Sequence, residues 1–503
     1  MVPATSAVEE IEAKDQKRFH RREEIVMAKK LTRREFLQAT AAGGAVCLGA
    51  GRFLAAAAAG KSVLISPGCR GTKVRVGKVY LGQPGALWPT PKMDIHEEVR
   101  RYEAQFARMK KELADVEFVG KKLITTPEEA RQIREELKDV DGILAIHLAM
   151  GIWGTLSEIL AAGKPTVLFA APYSGHDWTG FGALRNQKEG ALLECMLTTD
   201  YEQLAVAVRP FRAIHHLREA KILNVTTRDF SGYAKAMKEK FGTEIKRTER
   251  EEVVEYYNAV PDADAKAEAK RWIEGAQKVV EPSEEEVVKS CKLALAFEKL
   301  MDDEKATLIT VDCYGTMWRE TILLPAYPCI GFSRLNNMGL GGMCESDLAS
   351  SMTQILMQGL SGRPGFVNDP TMDESRNAII GAHCMGTPKM DGPDGPSAPY
   401  NIRTVMERRE GATPQVFMRI GQKTTWAKLV SPDRIVYFTG DIIEAPDFPR
   451  GCRTKITVKV DGDAEKLWQG WSHGLHRVTC YGDLTQDMKR FCRFKNITLV
   501  NEA

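Results

Sequence analysis

Residues 142–172 read GILAIHLAMGIWGTLSEILAAGKPTVLFAAP: an apolar run, a glycine-containing turn, a short helical period and a second apolar run. Apolar runs of this kind can be buried on both faces only as parallel strands joined by a crossover helix, which restricts the chain to an α/β layer architecture. The same alternation extends from Lys61 to about Thr227. Strand candidates are 63–65, 74–81, 116–119, 142–148, 166–170 and 222–225, with helical patterns over 95–113, 127–137, 155–162 and 201–216. A doubly wound, Rossmann-like parallel sheet is the expectation. No GxGxxG follows the first strand, which argues against a dinucleotide. His147 lies within a strand and reads as a packed core histidine. The polar loop 173–178 after the 166–170 strand, with His176 and Asp177, reads as a candidate substrate or subunit contact.

At 503 residues the chain is too long for one core. Four segments are expected: a tail and leader over 1–59, the Rossmann-like domain over 60–228, a second α/β domain over 229–399 and a β-rich sandwich or barrel over 400–503. Residues 233–301 read as charged, solvated helices. Residues 1–59 carry ten Lys/Arg against seven Asp/Glu, so the rest is electrically neutral and offers no basic footprint for nucleic acid. The first 26 residues are a charged tail or precede the true start at Met27. From Met27 the sequence MAKKLTRREFLQATAAGGAVCLGAGRFLAAAAAGK has Arg33-Arg34 followed by Phe36-Leu37 and a small-residue run. It resembles a twin-arginine translocation signal, so engagement of the Tat translocon and a periplasmic or extracytoplasmic location are expected, with a cytoplasmic one as the alternative. The eleven cysteines show no CxxC pair and suggest neither a disulfide framework nor a zinc ribbon. Cys313, Cys344 and Cys384 read as buried thiols.

The chemistry concentrates between Cys329 and Met385. Leu348, Met352, Ile355 and Leu356 make one apolar helix face, opened by Glu345 and closed by Gly359. Two short strands follow, 365–367 delivering Asn368-Asp369 and 378–380 delivering His383. His473 and His476 lie downstream in the β-rich segment. Glu345, Asp369, His383 and His476 together offer the mixed oxygen and imidazole set that hard divalent ions such as Mn²⁺ and Mg²⁺ accept. Each residue has a plainer alternative as a helix-end charge, a turn cap or a hydrogen-bonded core histidine.

The run PCIGFSRLNNMGLGGMCESDLASSMTQILMQGLSGRPGFVNDP is similar to the metal-site region of the L-fucose isomerase and L-arabinose isomerase superfamily. The resemblance implies that Glu345 and Asp369 are the paired catalytic and metal-binding carboxylates. It makes His476 the C-terminal metal ligand, with His473 as runner-up. His383 looks like the further ligand of the arabinose branch, whereas Asn368 favours a fucose-like pattern. The implied cofactor is Mn²⁺, or another divalent cation such as Mg²⁺ or Co²⁺. The implied reaction interconverts an aldose and a ketose through an enediolate, with the cation as Lewis acid. Trp318, Arg334, His176 and Asp177 are candidates for contacts to the sugar, and a homo-oligomer, commonly a hexamer, is implied. The alternatives are a metal-dependent epimerase or lyase acting on a modified sugar, and an inactive exported sugar-binding homologue.

Overall fold

The computed structural model describes residues 64–313 and 323–503, so the twin-arginine motif and Trp318 fall outside the described residues. The architecture is α/β, as the alternation predicts, with a β-rich C-terminal region.

The first sheet contains β1 (Val74–Leu81), β2 (Val116–Ile124), β3 (Gly142–His147), β4 (Thr166–Ala170) and β5 (Leu193–Leu197). All are parallel and run in the order β2-β1-β3-β4-β5. Because successive side chains point to opposite faces, Val76, Tyr80, Leu144 and Ile146 enter one core with helix Ile95–Arg108, while Val79, Ile143 and Ala145 enter another with helix Trp153–Leu160. Two separate cores on two faces are the physical content of double winding. The expected strand at 63–65 is reduced, among the described residues, to a single bridge between Ser66 and Cys69. Leu193–Leu197, polar at Glu194 and half-buried, escaped the apolar-run reading.

The second layer is built on β6 (Lys221–Val225) and β7 (Glu244–Thr248). The two-residue β8 (Lys278–Val279) belongs to a small separate sheet, and β9 (Leu308–Val311) and β10 (Gly341–Met343) complete the parallel order β10-β9-β6-β7. β7, EIKRT, lies inside the stretch expected to be wholly helical. It is an edge strand with exposed charges, which conceals its period. Four helices occupy most of the remainder of that stretch: Ser231–Phe241, Arg250–Ala259, Asp262–Gly275 and Glu284–Asp303. The last of these starts at a capping box between Ser283 and Glu286.

The third part contains β11 (Phe366–Asp373) and β12 (Ala378–His383). Two further strands, β13 (Tyr400–Arg403) and β14 (Thr413–Val416), join β8. The remaining strands are β15 (Lys423–Ser431), β16 (Arg434–Glu444), β17 (Thr454–Val460), β18 (Arg477–Tyr481) and β19 (Thr498–Asn501). Antiparallel pairing runs β15-β18-β11-β12-β17-β16 and returns from β16 to β15, closing a barrel to which β19 adds in parallel. Of the sandwich and the barrel, the chain forms the barrel, which leaves no unpaired edge in that ring. β11 and β12 precede residue 400 yet pair with strands beyond it, and β6 precedes residue 229 yet joins the second sheet.

Helix Leu348–Ser361 ties these parts together. It begins at Asp347, whose side chain accepts from Ser350 N, and stops at Gly362 in the left-handed region. Gly359, expected as the stop, lies inside the helix instead. A Cβ there would sit 2.7 Å from Ala213 Cα, so this glycine permits close packing on helix Arg209–Glu219.

Candidate functional site

Glu345 follows β10 at the C-terminal end of the second parallel sheet, the end at which such sheets place ligands. It does not open the helix. Glu345 and Ser346 adopt positive φ of 64° and 53°, a costly conformation for two successive residues with side chains. The turn is held by Ser346 N donating to Val311 O at 2.9 Å and by the Ser346 hydroxyl donating to Asn224 at 2.6 Å. Arg228 donates to the Glu345 carbonyl at 2.5 Å. These bonds fix the backbone and leave the Glu345 carboxylate directed at the barrel.

The barrel supplies the other groups through its register. β11 lies between β18 and β12, with Asn368 paired to Arg477 and Asp369 to Ala382. His383 is therefore one residue beyond the partner of Asp369, and His476 one residue before the partner of Asn368. Alternation also separates the neighbours Asn368 and Asp369. Asn368 points into the barrel and donates to Thr479 Oγ1 at 2.8 Å, leaving Asp369 at the rim.

At the rim, His476 Nε2 stands 3.6 Å from Glu345 Oε2 and 3.1 Å from Asp369 Oδ1, and His383 Nε2 stands 3.7 Å from Glu345 Oε1. The two imidazoles meet edge to face with centroids 5.5 Å apart. One donor atom from each of Glu345, His383 and His476 falls within 4.8 Å of the others. His476 Nε2, Asp369 Oδ1 and both ring nitrogens of His383 are buried without a hydrogen-bond partner. The 3.1 Å approach of His476 to Asp369 is thus a close contact lacking hydrogen-bond direction. Buried polar atoms left unpaired are costly, and several aimed at one point fit a cation that takes their lone pairs.

The other edge of His476 is fully specified. Its Nδ1 donates to Asp347 Oδ2 at 2.9 Å, and Lys428 donates to the same oxygen at 3.2 Å. That bond leaves Nε2 as the available lone pair once the ring is neutral, the arrangement in which a carboxylate orients a metal-binding histidine. Burial works against charge on His476, but the hydrogen bond to Asp347, the close carboxylate of Asp369 and the nearby Glu345 prevail and raise it to about 10. Burial opposes ionisation of Asp347 as well, yet His476 and Lys428 hold its carboxyl far below the usual range. Asp369 is lowered too, its burial outweighed by the two histidines.

The cluster forms one wall of a cavity lined by Glu345, Asp369 and His383 together with Cys329, Cys384 and Glu407, among others. Contact with Cys313, then burial, pushes the Cys344 thiol up, and burial does the same to Cys329. These are protonated thiols rather than poised nucleophiles.

The remaining sequence candidates fall elsewhere. His473 is exposed at positive φ and stands apart from the cluster. Arg334 is corrected: its guanidinium is buried in ion pairs with Glu268 at 3.0 Å and Glu298 at 2.6 Å, so it braces helices and is not free for a sugar. Asp177 accepts from Gly151 N at 3.0 Å and meets His147 at 3.1 Å, while His147 also contacts Ser174 at 2.7 Å. His147 is the core histidine expected, and Asp177 is its partner within the first domain. His176 packs against Trp88, with ring centroids 4.5 Å apart. Asp347, Lys428, Arg228 and Glu407 were not singled out. Asp347 alone had a sequence signal, as the cap residue ahead of the apolar period in Cys344-Glu345-Ser346-Asp347.

No family model matches the sequence. Among curated proteins, the sulfoquinovose isomerases of Priestia aryabhattai and Priestia megaterium are each 21% identical to it over 222 residues, which is 43% of this chain and 48% of theirs. The chain thus spans about half the length of the curated relatives it matches.

Proposed function

We propose that this protein is an aldose–ketose isomerase that uses a divalent cation held by Glu345, Asp369, His476 and His383. The observation that carries the reading is the convergence of unpaired, buried His476 Nε2, Asp369 Oδ1 and His383 Nε2 around Glu345 on a cavity wall. Similarity to sulfoquinovose isomerases supports a sugar as substrate.

When bound, a Mn²⁺-like cation supplies Lewis-acid polarisation of the substrate oxygens. The protein's own groups then have separable tasks. Asp347 locks the ring of His476, and the strained turn at Glu345 fixes that carboxylate against the barrel rim. Glu345 and Asp369 carry the proton. One takes it from C2 of the open-chain aldose, and the electron pair left behind becomes the C1–C2 double bond as the C1 carbonyl becomes a hydroxyl. Return of the proton to C1, with loss of the O2 proton, leaves the ketose. No electrons leave the substrate, so no redox cofactor is needed.

Export through the Tat translocon, suggested by Arg33-Arg34-x-Phe36-Leu37, and a hexameric assembly belong to the same proposal. The test uses full-length protein stripped with chelator, reloaded with Mn²⁺ and incubated in deuterated water with a panel of aldoses that includes sulfoquinovose. Ketose formation with solvent deuterium at C1 or C2 is expected, and Glu345→Gln should abolish it. Full metal occupancy with no exchange on any sugar overturns the reading, and inversion at C2 without ketose replaces it with an epimerase.

A further inference from the structure

Five thiols, those of Cys313, Cys329, Cys344, Cys384 and Cys452, line the cavity together with Glu407. Hydroxyl recognition gives no reason for so many sulfurs, since a thiol is a weak hydrogen-bonding group. Two of them are organised around one carboxylate. The Cys384 thiol lies 3.2 Å from Glu407 Oε2 and the Cys452 thiol 3.5 Å from Oε1. Cys384 directly follows β12 and Cys452 lies two residues before β17, the strand paired with β12, so the pairing brings the two segments together. Glu407 comes from the segment between β13 and β14. It makes no ion pair among the described residues, and its carboxylate lies against two thiols.

We propose that Cys384, Cys452 and Glu407 form a second metal site, selective for a thiophilic divalent cation such as Zn²⁺ and separate from the oxygen and imidazole cluster. Their donor atoms all lie within 4.8 Å of one another. Sulfurs bonded to zinc at ~2.3 Å in a tetrahedron are about 3.8 Å apart, so small side-chain movements complete the geometry. Binding exchanges the two thiol protons for two metal–sulfur bonds, with the protons released to solvent. A disulfide between Cys384 and Cys452 fits less well, because it would remove both S–H donors from Glu407 and leave the carboxylate facing sulfur lone pairs.

Another triad, Cys69, His215 and Glu219, is not a comparable site. His215 is engaged by Asp141 and Thr72 O, and Glu219 accepts from Thr72 N at 2.9 Å.

The inference stands independently of the isomerase reading, and so does its test. Reduced, chelator-treated full-length protein is titrated with Cd²⁺, and the ultraviolet cadmium–thiolate charge-transfer band is followed. One equivalent should develop the band, and Zn²⁺ should displace it. Cys452→Ser and Glu407→Gln should each weaken binding at least tenfold, whereas Glu345→Gln should leave the band intact. If Cys452→Ser fails to fold, Glu407→Gln carries the test, because that side chain is exposed. Absence of the band, a band indifferent to both substitutions, or a Cys384–Cys452 disulfide in the protein as isolated overturns the proposal.

Discussion

Asp347 Oδ2 lies 2.9 Å from His476 Nδ1 although the residues are 129 apart in sequence, and the same side chain caps helix Leu348–Ser361. One carboxylate thus starts a helix and aims an imidazole. Asp347→Asn keeps the size and a cap but removes the charged acceptor. Mn²⁺ affinity measured by titration calorimetry should fall about 10- to 100-fold, the usual effect of losing such a partner. Asp347→Ala should additionally lower stability by about 1 kcal/mol through the lost cap, read from chemical denaturation. Unchanged affinity in Asp347→Asn would mean that His476 is not a ligand.

Glu345→Gln and Asp369→Asn should each reduce sugar isomerisation by about 100-fold or more, the scale of a lost acid–base group. The far-ultraviolet circular dichroism should stay unchanged, because neither carboxylate holds a core contact. His473→Ala should match the unsubstituted protein in rate and metal content; a loss of metal in that variant would reassign the C-terminal ligand.

His215 provides the pH dependence. Its Nδ1 meets Asp141 at 2.9 Å, with the Arg218 guanidinium 2.8 Å away on the same side, and its Nε2 meets Thr72 O at 2.9 Å. Burial opposes the charge, but Asp141 and the neighbouring acceptors raise the histidine to about 10, above its ordinary value. A raised value binds the proton more tightly in the folded state. Its stabilisation is therefore complete below about pH 6.5 and is lost as pH rises through about 10. Unfolding midpoints in urea should decline across that interval, and His215→Gln should reduce the decline to the share contributed by His476. That variant should cost about 1–2 kcal/mol at neutral pH, because Asp141 loses one buried partner but keeps Arg218 and Arg75 N.

Gly359→Ala should destabilise by about 1–3 kcal/mol, since its Cβ would meet the Ala213 backbone at 2.7 Å. Gly362→Ala meets nothing within 4 Å and should lose only the cost of its positive φ, about 1 kcal/mol. Thermal unfolding of the two variants separates packing from backbone conformation.

The fold was legible where burial on both faces writes a continuous apolar run, as in β3 and β4. It was hidden at edges, where β5 and β7 carry charge and look like loop or helix. Asp369, His383 and His476 were readable as residue types. What joins them is strand register, a relation between segments about 100 residues apart that no local period encodes. Arg334 misled for the same reason: a lone arginine beside a site looks available until Glu268 and Glu298, from two other helices, are placed against it. The cysteines gave no spacing signal because Cys384 and Cys452 are neighbours only through the pairing of β12 with β17.

Closure of the barrel also imposes an order of events during synthesis. β11 is held by β18, as in the bond between Asn368 and Thr479 across 111 residues, and Arg477 beside His476 is clamped by Glu502 at 2.7 Å. While translation is still short of residue 476, a nascent chain can present Glu345, Asp369 and His383 but not the fourth group. On the proposed cation-binding role, capture by the complete set would be a late event, following synthesis of the segment that carries His476, and a chain ended before it would hold a partial, weaker grip.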